Sequence, residues 1–136
     1  MNKKLTVLLT LLVLLSGTAQ AAEKNGKFKG VIAGTVFDVA VECHIGEFTN
    51  QKDMITFVTN SGIGGERNED GIIVRGNVSP EMKYSGLKVE GHGVKKKMIL
   101  NKKYLKMDGK KAEFENTMKD KKGGTYDVKF TLLCDI

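Results

Sequence analysis

The chain of 136 residues has no tryptophan, one proline, two histidines and two cysteines. No window shows sustained apolar periodicity near 3.6 residues, so few helices are expected. His44 lies beside Glu42 at a polar position, and His92 lies between Gly91 and Gly93. A zinc site needs three or four ligands with coherent spacing, which these residues do not supply, and the methionines are scattered. No metal or other cofactor is expected. Gly-x-Ser-x-Gly, His-Glu-x-x-His and Cys-x-x-Cys are all absent, so the chain is read as a non-enzyme. Gly62-Ile63-Gly64-Gly65 has no Lys-Ser or Lys-Thr after it, which argues against a phosphate loop. The run Glu66, Asn68, Glu69 and Asp70 lacks the spacing of a calcium loop.

Long apolar runs are absent too. The longest, Leu5 to Leu15, is shorter than the roughly 20 residues a spanning helix requires. It follows Lys3-Lys4 and precedes Ala19-Gln20-Ala21, the three zones of a cleavable signal peptide over residues 1–21. Thr18 stands where a lipoprotein would carry cysteine, so no lipid is expected there. The expected mature chain is a single domain over residues 22–136, periplasmic or secreted, with no membrane span.

Short alternating segments fill that domain. Between Thr35 and Ile45, the residues Phe37, Val39, Val41, Cys43 and Ile45 share one parity, while Asp38, Ala40, Glu42 and His44 share the other. Period-two alternation buries the first set. Tyr126, Val128, Phe130, Leu132 and Cys134 repeat the pattern near the end. Weaker strands are expected at Met54–Thr59, Gly71–Val78, around Leu87 and Val89, at Val94–Leu100, Lys103–Met107 and Ala112–Met118. Asn60–Asp70 reads as an exposed loop, and Asp108-Gly109 as a two-residue hairpin turn. About seven to nine short strands predict an all-β fold, a small antiparallel β-sandwich or partly open barrel. Cys43 and Cys134 both fall on buried parities, which predicts a structural disulfide joining the two strongest strands.

The two short segments that end in these cysteines, Val41-Glu42-Cys43 and Lys129-Phe130-Thr131-Leu132-Leu133-Cys134, resemble the mycobacterial 19-kDa lipoprotein antigen family. The segment Asn77-Val78-Ser79-Pro80-Glu81-Met82-Lys83-Tyr84-Ser85-Gly86-Leu87 is also similar. The resemblance implies a disulfide-closed β-sandwich at the cell surface and brings no catalytic residues. Thr18 in place of the lipidated cysteine, and the density of lysine, depart from that pattern.

Charge is the remaining signal. Glu23–Met82 carries 6 basic and 9 acidic residues, whereas Lys83–Ile136 carries 14 basic and 7 acidic. Lys95, Lys97, Lys102, Lys103, Lys106, Lys110 and Lys111, with Lys96 among them, cluster in a window whose single acid is Asp108. A two-residue Asp108-Gly109 turn would set Lys106 opposite Lys111, a destabilising pairing that an anion would relieve. These lysines form a candidate anion-binding patch for a glycolipid, a polysaccharide or an acidic protein. The competing reading is a solvated sheet edge, where lysine discourages aggregation. Aromatic residues near the cluster are few, which argues against single-stranded nucleic acid. The leading expectation is an exported, non-catalytic binder of an anionic envelope component. The alternative is an exported enzyme inhibitor or immunity-type protein that docks through its acidic first half and the Gly62–Asp70 loop.

Overall fold

Alternation of apolar and polar side chains organises nine strands in the computed structural model, which describes residues 24–46 and 53–136. The expected signal segment, residues 1–21, lies outside the described residues. The strands are β1 (Gly26–Ile32), β2 (Thr35–Ile45), β3 (Ile55–Val58), β4 (Ile73–Val78), β5 (Tyr84–Gly91), β6 (Val94–Asn101), β7 (Leu105–Asp108), β8 (Lys111–Lys119) and β9 (Thr125–Cys134). They form one antiparallel sheet in the order β6-β5-β4-β3-β2-β1-β9-β8-β7. No helix among the described residues is long and apolar enough to cross a membrane.

The sheet folds on itself at two places. Residues Thr35–Val41 of β2 pair with β1, and Glu42–Ile45 pair with β3, so one strand serves both halves. At the opposite side, β6 passes through a single 3-10 turn, Lys102–Tyr104, into β7. Nine alternating strands leave the edges β6 and β7 running in the same direction, with no ladder between them. The result is a nearly closed antiparallel barrel, in keeping with the expected all-β class.

Inward-facing residues of both halves make one core, in which Phe28, Phe57, Phe114 and Phe130 are buried. The ring centroids of Phe28 and Phe130 lie 4.9 Å apart, and those of Phe114 and Phe130 lie 5.6 Å apart. Each such side chain contributes about 1.5–3 kcal/mol by leaving water. Strand β1, which the alternation rule does not reveal, lies inside the sheet between β2 and β9. Its inward series is Phe28, Gly30 and Ile32. Glycine at the middle position hides the apolar pattern, yet a Cβ there would strike Lys129 O and Phe130. Close approach of β1 to β9 therefore requires Gly30.

The expected disulfide is present. Cys43 and Cys134, 91 residues apart in sequence, have Cα atoms 6.1 Å apart. They flank β1, whose first residue, Gly26, pairs with both Val41 and Cys134. A Cβ on Gly26 would collide with Cys43 Sγ, so the bridge needs glycine beneath it.

Three expectations differ from the structure. The β7–β8 turn is Gly109-Lys110, so Asp108 faces Lys111, Met107 faces Ala112 and Lys106 faces Glu113. Gly109 takes φ = +59°, which suits the first central position of a type II′ hairpin, and Asp108 remains in the strand. The supposed Lys106–Lys111 repulsion is therefore absent. Ile45, placed with the core by parity, is exposed at the end of β2. Glu42, placed with the solvent, is only 4% exposed, because the β3–β4 loop folds over it.

Candidate functional site

The seam between the two edge strands is where the fold leaves an opening. The four residues of β7 pair with Lys111–Phe114 and leave Glu115–Lys119 of β8 without a ladder partner on that side. Across the gap runs the first half of β6. A cleft of about 740 Å³ lies here, lined by the ends of β5, β6 and β8, the β8–β9 turn and the start of β9. Val94, Met118 and Tyr126 pack against the core at this end of the barrel.

Each lysine of the cleft has a local cause. On β6, Lys95 and Lys97 point outward, while Lys96 has the inward parity and lies 4.4 Å over the Tyr126 ring. That cation–π contact bridges the seam. On β5, Lys88 stands directly opposite Lys97. Lys119 ends β8, and Lys121 and Lys122 occupy the following turn. Asp120 orders that turn: its Oδ1 accepts the backbone N–H groups of Lys122 and Gly124, both at 2.9 Å. Burial pushes the Tyr126 phenol above its ordinary pKa, and the Asp120 charge adds to the effect. Tyr126 thus presents a neutral hydroxyl at the cleft.

Seven lysines and two carboxylates, Glu90 and Asp120, line this space. Glu90 is already held by Arg67 at 2.9 Å, and Lys88 has Glu66 at 3.6 Å. Among the described residues, no carboxylate oxygen comes within 4.0 Å of Lys95, Lys96, Lys97, Lys119, Lys121 or Lys122. Six cations drawn from two stretches of chain, 95–97 and 119–122, therefore share one concave, net positive field, the arrangement that concentrates anions.

The lysines singled out from sequence are divided by the topology. Lys95 and Lys97 line the cleft. Lys103 and Lys106 line a separate depression with Tyr104 and Lys129, where Glu113 and Glu115 offset them. Lys106 and Lys111 flank the β7–β8 hairpin, where Lys111 binds Glu113 at 3.1 Å. Lys102 and Lys110 line neither space; the Lys102 N–H donates to Lys83 O, and Lys110 O accepts from the Cys134 N–H. Running down β6 separates Lys95 from Lys102 by about 23 Å, at roughly 3.3 Å per residue. Lys88, Lys119, Lys121 and Lys122 were missed as site residues, since they come together with Lys95–Lys97 only across the folded sheet. The run Lys119-Asp120-Lys121-Lys122 was the available signal.

A second polar assembly holds the β3–β4 loop. Glu42 Oε2 accepts from the Ser61 N–H at 2.8 Å and from Lys24 Nζ at 3.2 Å, and Oε1 accepts from the Ser61 hydroxyl at 2.8 Å. Lys24 also donates to Thr59 O. Burial opposes ionisation of Glu42, but the Ser61 and Lys24 contacts outweigh it and hold the carboxyl below its usual pKa. Among the described residues, no group of three or more His, Cys, Asp or Glu is placed to hold a metal.

No protein family, curated protein or solved structure matches this chain.

Proposed function

We propose that the protein is an exported, non-catalytic binding protein for an anionic envelope component: a glycolipid, a polysaccharide or an acidic protein. Export is supported by the basic, apolar and Ala-x-Ala zones of the leader. The disulfide supports it too, since such bonds persist in oxidising compartments. The observation that carries the binding reading is the set of six lysines, free of carboxylate partners among the described residues, around one cleft. Edge protection accounts for Lys95 and Lys97 on β6. It does not account for Lys121 and Lys122, which lie in a turn. Kinship with the mycobacterial 19-kDa lipoprotein antigen family is proposed on the short motifs alone and adds no activity.

The test is retention on a polyanion column. A Lys95→Gln/Lys97→Gln/Lys121→Gln/Lys122→Gln variant should elute at markedly lower salt than wild type. A Lys103→Gln/Lys106→Gln/Lys111→Gln control should move little. Equal shifts would mean that net charge alone is read, and the cleft proposal would fail.

One observation favours the inhibitor or immunity-type alternative. Ile63 is fully exposed on a loop anchored by the Ser61–Glu42 bonds and by Asn60, whose side-chain amide donates to Arg67 O at 3.2 Å. An apolar tip on a tethered loop suits insertion into a partner enzyme. Stoichiometric capture of one enzyme from periplasmic extract, abolished by Ile63→Asp, would establish this reading; capture unaffected by the substitution would reject it.

A further inference from the structure

The geometry points to the free edge of β6 as a docking strand for an extended acidic segment of a partner protein, which adds to the sheet by main-chain hydrogen bonds. This inference rests on the anion-binding reading above and narrows its ligand to a peptide strand.

In an antiparallel ladder, a strand bonded on one side leaves the N–H and C=O of every second residue turned away. The β5–β6 hairpin turns through His92 and Gly93, both at positive φ, and closes on the hydrogen-bonded pair Gly91 and Val94. From there Lys96, Met98 and Leu100 bond to β5, while Lys95, Lys97 and Ile99 turn their backbone groups to the open side. The Gly86 N–H, which donates to Asn77 Oδ1 on β4, fixes the same alternation from the other side of β5. All three outward-turned residues are exposed. Beyond the reach of β7, β8 has a free edge as well, with the backbone groups of Glu115, Thr117 and Lys119 turned to the gap. That edge is blocked at its middle, because the Thr117 N–H already donates to Asn116 Oδ1 at 2.9 Å. Among the described residues no such cap covers Lys95, Lys97 or Ile99. The acceptor edge is therefore β6.

Charge selects the occupant. A bare edge is a template for another strand, and lysine on it repels strands of like charge. A second copy would bring its own Lys95 and Lys97 to the same edge, so self-pairing is disfavoured. Within the sheet Lys95 faces Glu90, but Lys97 faces Lys88. An acidic residue opposite Lys97 on the free side supplies the missing countercharge. Lys119, Lys121 and Lys122 meet the same strand from across the cleft. Antiparallel addition continues the order of the sheet and sets ligand residues opposite Ile99, Lys97 and Lys95 in turn. The preferred segment thus reads apolar-x-acidic-x-acidic from its N-terminal end. Main-chain bonds give such complexes affinity, and alternate side chains give them specificity. A polysaccharide or a lipid headgroup would use the charges and leave the row of backbone groups unused.

Calorimetric titration of the purified protein tests this with the peptide acetyl-Thr-Val-Thr-Glu-Thr-Glu-Thr-amide and two isomers of equal charge. One isomer is N-methylated at both glutamates, the other at the two central threonines. In antiparallel pairing the glutamate N–H groups point at β6 and the threonine N–H groups point away. Methylated glutamates should weaken binding by about tenfold or more, for two lost hydrogen bonds, whereas methylated threonines should change it little. In the saturated complex the amide protons of Lys95, Lys97 and Ile99 should exchange more slowly, and a short polyphosphate should bind without slowing them. Ile99→Pro removes one outward N–H at a position where an edge strand tolerates proline. It should weaken the peptide severalfold and leave polyanion-column retention unchanged. The exchange measurement on wild type is independent of how that variant folds. No binding of the peptide, equal loss from both methylated isomers, or unchanged exchange at the three amides would overturn strand addition while the column result stands, leaving the cleft to a saccharide or a lipid headgroup. The same failures together with unchanged column retention of the cleft variant would overturn both.

Discussion

Lys97 stands directly across the β5–β6 ladder from Lys88, two like charges at one register position. Such pairs destabilise a sheet by a few tenths to about 1 kcal/mol. The anion-binding reading gives that cost a use, because a bound anion would neutralise it. Lys97→Glu should therefore raise the melting temperature of the ligand-free protein by up to about 5 °C at low salt. The same change should weaken binding of anionic ligands. Scanning calorimetry and titration on one preparation would check both effects, and a variant that loses stability as well as binding would contradict the account.

Asp120 separates the two ways a carboxylate can act in the cleft. Its Oδ1 pins the backbone of the turn, while its charge opposes an incoming anion. Asp120→Asn keeps an accepting oxygen and removes the charge. At roughly 8 Å and an effective dielectric of about 40–80, that charge is worth about 0.5–1 kcal/mol. Anion affinity should rise about twofold to fivefold, while Asp120→Ala should gain less because the turn loosens. Titration of the two variants side by side would show the order.

Gly26 lies beneath the Cys43–Cys134 bridge. Gly26→Ala should cost about 1–3 kcal/mol, the usual range for overpacking a close-packed site. Removal of the disulfide, which spans 91 residues, should cost about 4–5 kcal/mol in the loop-entropy description. Chemical denaturation with and without reductant would measure both. The Gly26→Ala penalty should shrink once the bridge is reduced, because the collision partner can then move away.

Glu42 predicts acid sensitivity. Its folded-state pKa is lowered, so its contribution is fully present above the unfolded value and is lost as pH falls through the folded value. Stability should decline below about pH 4.5, the ordinary carboxylate range. Glu42→Gln should be less stable at neutral pH, by about 1.5–3 kcal/mol for weakened charge-assisted bonds, and its stability should vary less with acid. Urea titrations between neutral pH and pH 3 would reveal the difference in slope.

Much of the barrel was legible because period-two alternation is a local property. The burial of Phe37, Val39, Val41 and Cys43, and of Val128, Phe130, Leu132 and Cys134, follows from it. Strand β1 was not legible, because Gly30 interrupts its apolar series for the sake of a neighbour 100 residues away. Glu42 misled for a similar reason: its parity is polar, but Ser61 and Lys24, brought in from other segments, bury and satisfy it. The β7–β8 turn shifted by one residue, since both Asp108 and Gly109 favour turns and only the register settles which pair makes it.

The amino-acid order was enough to specify an all-β chain, a cysteine pair turned toward one interior and a strongly basic second half. Those features depend on near neighbours and on composition, which any reader of the chain can see. Which lysines meet was settled by the folded sheet. The short reach of β7 leaves the seam open, and β5, β6 and the β8–β9 turn deliver their charges to it from positions far apart in sequence. Electrostatic fields add in space, and a linear cluster such as Lys95 to Lys111 is pulled apart as soon as its strand runs the length of the barrel.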